Sequence, residues 1–270
     1  MSLASSDSLA NISPELESFL TSNGLDTARE LFAALRVIDQ QGALRRSLAD
    51  PTAESTKRQG LVERIFSDHV GANALGVLRL LVGQRWSKER ELGDAIETAA
   101  AQASAASAEG EGLAGLQQLT EQLLGFDQLI QESHQVQWAL SDQQAPASAR
   151  GDLAVKLVGV NAREETKALV RQAVEAPRGA KPAAVVRHFA NVVATRQRRW
   201  IADVTVAKPL QQSQQDRLAR GLSAAFGREL TLNVEVDPQL VGGIRVQVGD
   251  EVVDSSISAR LNDLKTKMAG

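Results

Sequence analysis

From about Ser13 to Gln197, apolar positions recur at spacings of three and four, the period of an amphipathic helix. Ala74, Leu75, Leu78, Leu81 and Val82 make one such stripe, and Thr166, Leu169, Val170, Ala173 and Val174 make another. The pattern predicts bundle helices. Pro51 after Asp50 marks a stop, because the residue before a proline is pushed out of the helical region, and Pro146, Pro177 and Pro182 punctuate the later helices in the same way. After Trp200 the period changes to two. Val204 and Val206 alternate with polar positions, and Gln211 to Phe226 then reads as a helix with Leu218, Leu222 and Phe226 on one face. Leu230, Leu232, Val234 and Val236 alternate again up to Pro238, and Ile244, Val246 and Val248 lead through Gly249-Asp250 into Glu251-Val252-Val253, a hairpin pattern. Such alternation fits a sheet with one wet face and one covered face. Asp254 is placed to cap a last helix whose stripe is Ile257, Leu261, Leu264 and Met268, with Lys265 and Lys267 suited to its negative pole.

The helical part repeats itself at an offset of 92 residues. Leu48 and Asp50 match Leu140 and Asp142, while Ala53, Arg58 and Leu61 match Ala145, Arg150 and Leu153. The expected fold class is therefore α+β, mostly α: two related helical bundle units followed by a small C-terminal β-α-β-β-α domain. The expected divisions are 1–103, 104–198 and 199–270. Between the helical units, the Ala-, Ser- and Gly-rich run from Ala99 to Gly115 reads as a helix that frays into a hinge.

Composition narrows the chemistry. The 270 residues, at about 150 per domain, suit two domains or three small ones. There is no Cys, and the three His lie far apart at 69, 134 and 188, which excludes thiolate chemistry and a His-rich metal site. With 30 Lys plus Arg against 33 Asp plus Glu, no basic excess points to nucleic acid. The Ser-rich start resembles neither a secretory signal nor a transit peptide, and Ala72 to Gly83, the most apolar stretch, is short and carries Arg79. The expectation is a soluble chain with no direct membrane insertion. Charge is uneven: 101–140 holds five acids and no base, and 141–200 holds 11 bases and five acids. Two readings stand, ordinary solvated faces or complementary docking.

Gly110-Glu111-Gly112-Leu113-Ala114-Gly115 fits the dinucleotide fingerprint by letter, with Glu132 at a ribose-binding distance. The fingerprint requires a preceding strand, and an Ala-rich helix precedes this one, so a glycine hinge is the default. Gly179-Ala180-Lys181-Pro182 lacks the spacing and hydroxyl of a phosphate-binding loop. His188 lies among Arg187, Arg196, Arg198 and Arg199, which would lower its basicity. Ser255-Ser256 has no base near it in sequence and reads as helix capping. No cofactor and no catalytic residue is expected.

The most specific constellation is Asp237-Pro238-Gln239-Leu240-Val241-Gly242-Gly243-Ile244-Arg245-Val246-Gln247-Val248-Gly249-Asp250, then Val253-Asp254-Ser255-Ser256. It resembles the signature of the delta subunit of bacterial F-type ATP synthases, whose mitochondrial counterpart is the oligomycin-sensitivity-conferring protein. Val204-Thr205-Val206-Ala207-Lys208-Pro209-Leu210 resembles that family's first strand, and about Leu113 to Val193 its helical domain. The signature residues Gly242, Gly243, Gly249, Asp250 and Asp254 read as structural: a bulge or close approach, a hairpin turn and a helix start. The resemblance implies a non-catalytic stator component at the cytoplasmic face of the cell membrane. Its partners would be N-terminal helices of the alpha subunits, bound by the helical domain, and the b subunits, joined by the C-terminal domain. By family position a helix-binding groove would lie between the helices around Asp94 to Ala105 and Arg163 to Val174, with Leu169, Val170 and Val174 as candidate contacts; plain core is an equal reading of these three. The sequence departs from the family in having no Tyr and in carrying an extra first unit, which resembles the longer actinobacterial type. That unit is expected to make a second contact on the head or to brace the stalk.

Overall fold

The computed structural model describes residues 14–227, 230–237, 240, 243–248 and 251–254, with backbone alone at 199 and 251–254. The chain divides into two compact units, 1–193 and 194–270. In the first, α1 covers 14–20, followed by α2 (Gly24–Gln40), α3 (Gly42–Ala49), α4 (Ser55–Phe66), α5 (Ala72–Gly83), α6 (Glu89–Glu109), α7 (Gly112–Glu132), α8 (His134–Ser141), α9 (Ala147–Val158), α10 (Glu164–Glu175) and α11 (Pro182–Gln197).

The internal echo is structural. Helices α3, α4 and α5 recur as α8, α9 and α10 with both ends of each displaced by 92 residues. The polar joints recur too. Asp50 Oδ1 accepts from the Thr52 backbone at 2.8 Å, and Asp142 Oδ1 accepts from Gln144 at 2.9 Å. Arg58 Nη1 donates to Asp50 O at 2.7 Å, and Arg150 Nη1 to Asp142 O at 3.0 Å. An aspartate side chain thus folds the corner after each short helix, and an arginine one helix later ties the corner's carbonyl.

The Ala-rich run is a central helix, which corrects the expected hinge. Helix α6 continues unbroken to Glu109 and buries residues on nearly every side, among them Ala99, Ala100, Ala101, Ala103, Ser104, Ala105 and Ala108. Small side chains leave room for neighbouring backbones to approach closely: a Cβ on Gly24 would meet the Ala103 carbonyl and the Ser107 amide. The anticipated 103/104 division therefore falls inside one helix. Helix α6 packs on α2, α5 and α3 of the first repeat and on α7 and α10 of the second. It also aligns with α11 at the same 92-residue displacement along most of its length. The repeats share this helix and form one compact unit.

The second compact unit follows the predicted order as far as it is described. A 3₁₀ turn (Arg198–Trp200) leads into β1 (Ile201–Val206), then come α12 (Gln212–Phe226), β2 (Thr231–Val236), β3 (Ile244–Val248) and β4 (Glu251–Asp254). The sheet order is β2-β1-β3-β4. β1 pairs parallel with β2 and antiparallel with β3, and β3 pairs antiparallel with β4. The register sets Val204 beside Val246 and Ala202 beside Val248, so one face carries the core. Leu218, Leu222 and Phe226 of α12 pack on that core, which also holds Val206 and Leu230. The alternation along β1 and β3 reflects this one-sided cover, with Asp203, Arg245 and Gln247 on the wet face. The predicted last helix lies outside the described residues.

Candidate partner-binding surface

Leu169, Val170 and Val174 lie on α10 with no exposed surface. They form core, the reading that stood beside partner contact in the sequence. The face they underlie is already covered by the chain's own α2. Arg36 Nη1 donates to Gln172 Oε1 at 3.2 Å, Arg29 lies 3.5 Å from Glu164, and the rings of Phe32 and Phe189 meet at 6.0 Å. Ser107 Oγ of α6 donates to Glu165 Oε1 of α10 at 2.8 Å beneath this cover. The apolar stripe of α2, with Leu31, Leu35 and Ile38 buried, does not by itself say which partner it meets. In this fold the partner is the groove of the second repeat.

Arg178 fastens the same junction. Its Nε reaches Asp39 Oδ2 of α2 at 2.7 Å and its Nη1 reaches Asp94 Oδ1 of α6 at 2.6 Å. The backbone of Arg178 is left-handed at φ 50, a conformation that few residues other than glycine adopt. Glu97 lies beside the guanidinium at 3.7 Å, and burial pushes its pKa up to about 7. None of these roles was legible in the sequence, where Arg178 is one of the eleven bases of 141–200.

Part of the uneven charge is consumed inside the fold. Arg163 pairs with Glu111 at 2.8 Å and Arg187 with Asp127 at 3.6 Å, so bases of the 141–200 run meet acids of the 101–140 run; Arg163 also pairs with Glu165 of its own run at 3.2 Å. The hydrogen bond from Arg163 holds the Glu111 carboxyl below its ordinary range.

The glycine fingerprint is a helix corner. Gly110 ends α6, Gly112 turns at φ 73, and a Cβ on Gly115 would strike the Ala108 carbonyl, so the three glycines let α7 fold back against α6. His188 Nε2 lies 3.2 Å from Thr98 Oγ1, and burial, rather than the neighbouring arginines, lowers its pKa. Among the described residues no group of His, Asp and Glu could hold a metal, and no helix is long and apolar enough to cross a membrane. Of the C-terminal signature, Gly243 stands at φ 88 just before β3, a left-handed conformation that glycine adopts freely. Asp254 pairs in register with Arg245 at the end of β4. Gly242, Gly249 and Asp250 lie outside the described residues, as does any capping by the Asp254 side chain.

Residues 96–268 match the family described as ATP synthase delta (OSCP) subunit. The chain belongs to that family. It is similar to the protein named ATP synthase subunit delta of Renibacterium salmoninarum, 46% identical over 98% of each chain. The protein of that name from Pseudarthrobacter chlorophenolicus is 45% identical over the whole of both chains. The Streptomyces avermitilis counterpart is 35% identical over 98% of each. The family match begins at residue 96, inside α6, whereas these delta subunits align along the first repeat as well. In this long form of the delta subunit the helical domain is preceded by a second, related set of helices that packs against it.

Proposed function

We propose that the chain is a stator subunit in the peripheral stalk of a proton-translocating F-type ATP synthase. In this role it links the alpha/beta catalytic head to the b subunits, resists rotor torque and catalyses nothing itself. The observation that carries the reading is the alignment, over essentially the whole chain, with proteins named ATP synthase subunit delta. The division into two compact units, one helical and one of sheet and helix, supports a connector that meets a head with one and a stalk with the other. We place it at the cytoplasmic face of the cell membrane, held there by protein partners. We read its first repeat as a duplication of the second.

An alpha-subunit helix needs an amphipathic groove. In the second repeat α2 fills that position across α6 and α10. The corresponding face of the first repeat lies between α1 and α5, where Phe19 packs against Gly76 and Leu80 is half-buried. Leu80 stands where Gln172, the acceptor of the Arg36 hydrogen bond, stands in the second repeat. We assign the alpha-subunit helix to this face, and the b-subunit contact to the C-terminal unit. Co-purification from membranes, with release at low ionic strength and identification of what is released with the chain, tests the reading. Alpha, beta and b subunits should accompany it. Their consistent absence, with other proteins in their place, would assign the chain to another assembly.

A further inference from the structure

A cavity of about 620 Å³ opens in the second repeat between α8, α9 and the start of α11, lined in part by Trp138, Arg150, Lys181 and Arg187. Its lining holds three cations and no carboxylate. Trp138 is 72% exposed, an unusual setting for the largest apolar side chain, and its indole N–H meets no hydrogen-bond acceptor among the described residues. Lys181 has no ion-pair partner among them either, and Arg187 has Asp127 at 3.6 Å. Asp142, the nearest other acid in sequence, spends Oδ1 on the Gln144 amide.

Arg150 supplies the second observation. Its counterpart Arg58 spends every guanidinium nitrogen on carbonyls, those of Val82, Asp50, Ala53, Gly83 and Gln84. Arg150 donates only to Asp142 O, and its buried Nε has no partner. Arg150 Nη2 also lacks an acceptor without being buried, and a carboxylate entering the cavity can take a charge-assisted hydrogen bond from it. The first repeat shows that this chemistry is particular to the second. There the corresponding cavity is lined by both signs of charge, Asp50 and Glu89 with Arg46 and Lys88. Arg46 occupies the place of Trp138, and Glu89 the place of Lys181.

We infer that the Trp138 cavity is a docking site for an acidic, apolar segment of a partner protein, with an apolar side chain against the indole and a carboxylate against Arg150 and Lys181. A solvent-exposed tryptophan ringed by bases has the composition of an interface centre, and the charge fixes the sign of the partner. The site goes beyond the connector reading and does not depend on it.

The test uses the full chain and a synthetic helical peptide with Leu on one face and Glu on the other, followed by calorimetry, with a Lys-for-Glu peptide as control. Saturable binding of the acidic peptide alone is expected. Trp138→Ala and Lys181→Glu should each weaken it at least tenfold, whereas Arg46→Glu in the first repeat should change it less than twofold. Both tested side chains are exposed, and circular dichroism with a melting curve establishes that each variant folds. Equal binding of the basic peptide would overturn the proposal, as would binding indifferent to both substitutions or no binding by the folded chain. Phosphatidylglycerol vesicles provide the remaining arm. Vesicle binding lost in the same variants, without peptide binding, would make the site a lipid contact and refute the inference.

Discussion

Glu97 offers a sharp test of how the two repeats are joined. It is 8% exposed, Oε1 has no hydrogen-bond partner, and Oε2 lies 3.7 Å from Arg178. Burial raises its pKa from 4.5 to about 7 against the attraction of Arg178, while Asp94 and Asp39 push the same way as burial. In the unfolded chain the group titrates near its ordinary value. Below pH 4.5 both states are protonated, and the stability linked to this proton is fully present. Between 4.5 and about 7 the folded state alone holds the proton, so stability falls as pH rises and the loss is complete above the folded value. At about 1.4 kcal/mol per pH unit across that interval, the loss is roughly 3 kcal/mol. Glu97→Gln keeps the shape and removes the ionisation, and Arg178 retains Asp39 and Asp94 at 2.7 and 2.6 Å. Urea denaturation followed by circular dichroism should therefore show the variant more stable than the parent at pH 8, by about 1–3 kcal/mol. The gap should close as pH falls toward 4.5. A gap that stays constant with pH, or a variant less stable at pH 8, would refute the argument.

Four further outcomes follow from the packing. Arg58→Met strands five carbonyl contacts and should cost about 3 kcal/mol or more in urea denaturation, whereas Arg150→Met, losing one, should cost about 1 kcal/mol or less. Gly24→Ala forces a methyl group against the Ala103 carbonyl and should lower stability by about 1–3 kcal/mol, with faster amide exchange in α6. Arg29→Ala breaks two ion pairs, with Asp26 and Glu164, whose side chains are all at least 50% exposed, and its effect on the melting curve should stay within about 0.5 kcal/mol. Leu80→Glu should weaken binding of the intact chain to the isolated catalytic head about tenfold while a cooperative melting curve shows the variant still folded, as a charge on a half-buried docking face would.

Periodicity reached the helices, the strands and their order because each buries one stripe or one face, and burial is what the apolar spacing records. The offset of 92 residues was legible for a similar reason, since Asp50, Arg58 and their counterparts Asp142 and Arg150 sit at corners the repeat must rebuild. The second half of helix α6 reads as fraying into a hinge because alanine and serine leave no strong stripe when every side of a helix is covered; the same smallness that hides the pattern permits the close packing. The groove cover was invisible for a different reason. An amphipathic α2 announces that it packs, but the choice of α6 and α10 depends on Arg178, Asp39 and Phe32 meeting residues up to 157 positions away. The exposure of Trp138 is decided by the fold and has no signature in spacing.

The most direct test of the connector role is a bridging measurement. Isolated alpha/beta head and a soluble form of the b subunits, which should not associate alone, are mixed with the full chain, and the masses of the resulting complexes are determined by light scattering after gel filtration. The account predicts a ternary species holding head, chain and b subunits together, lost when the chain is omitted. A chain that binds one partner and excludes the other, or binds neither, would contradict it.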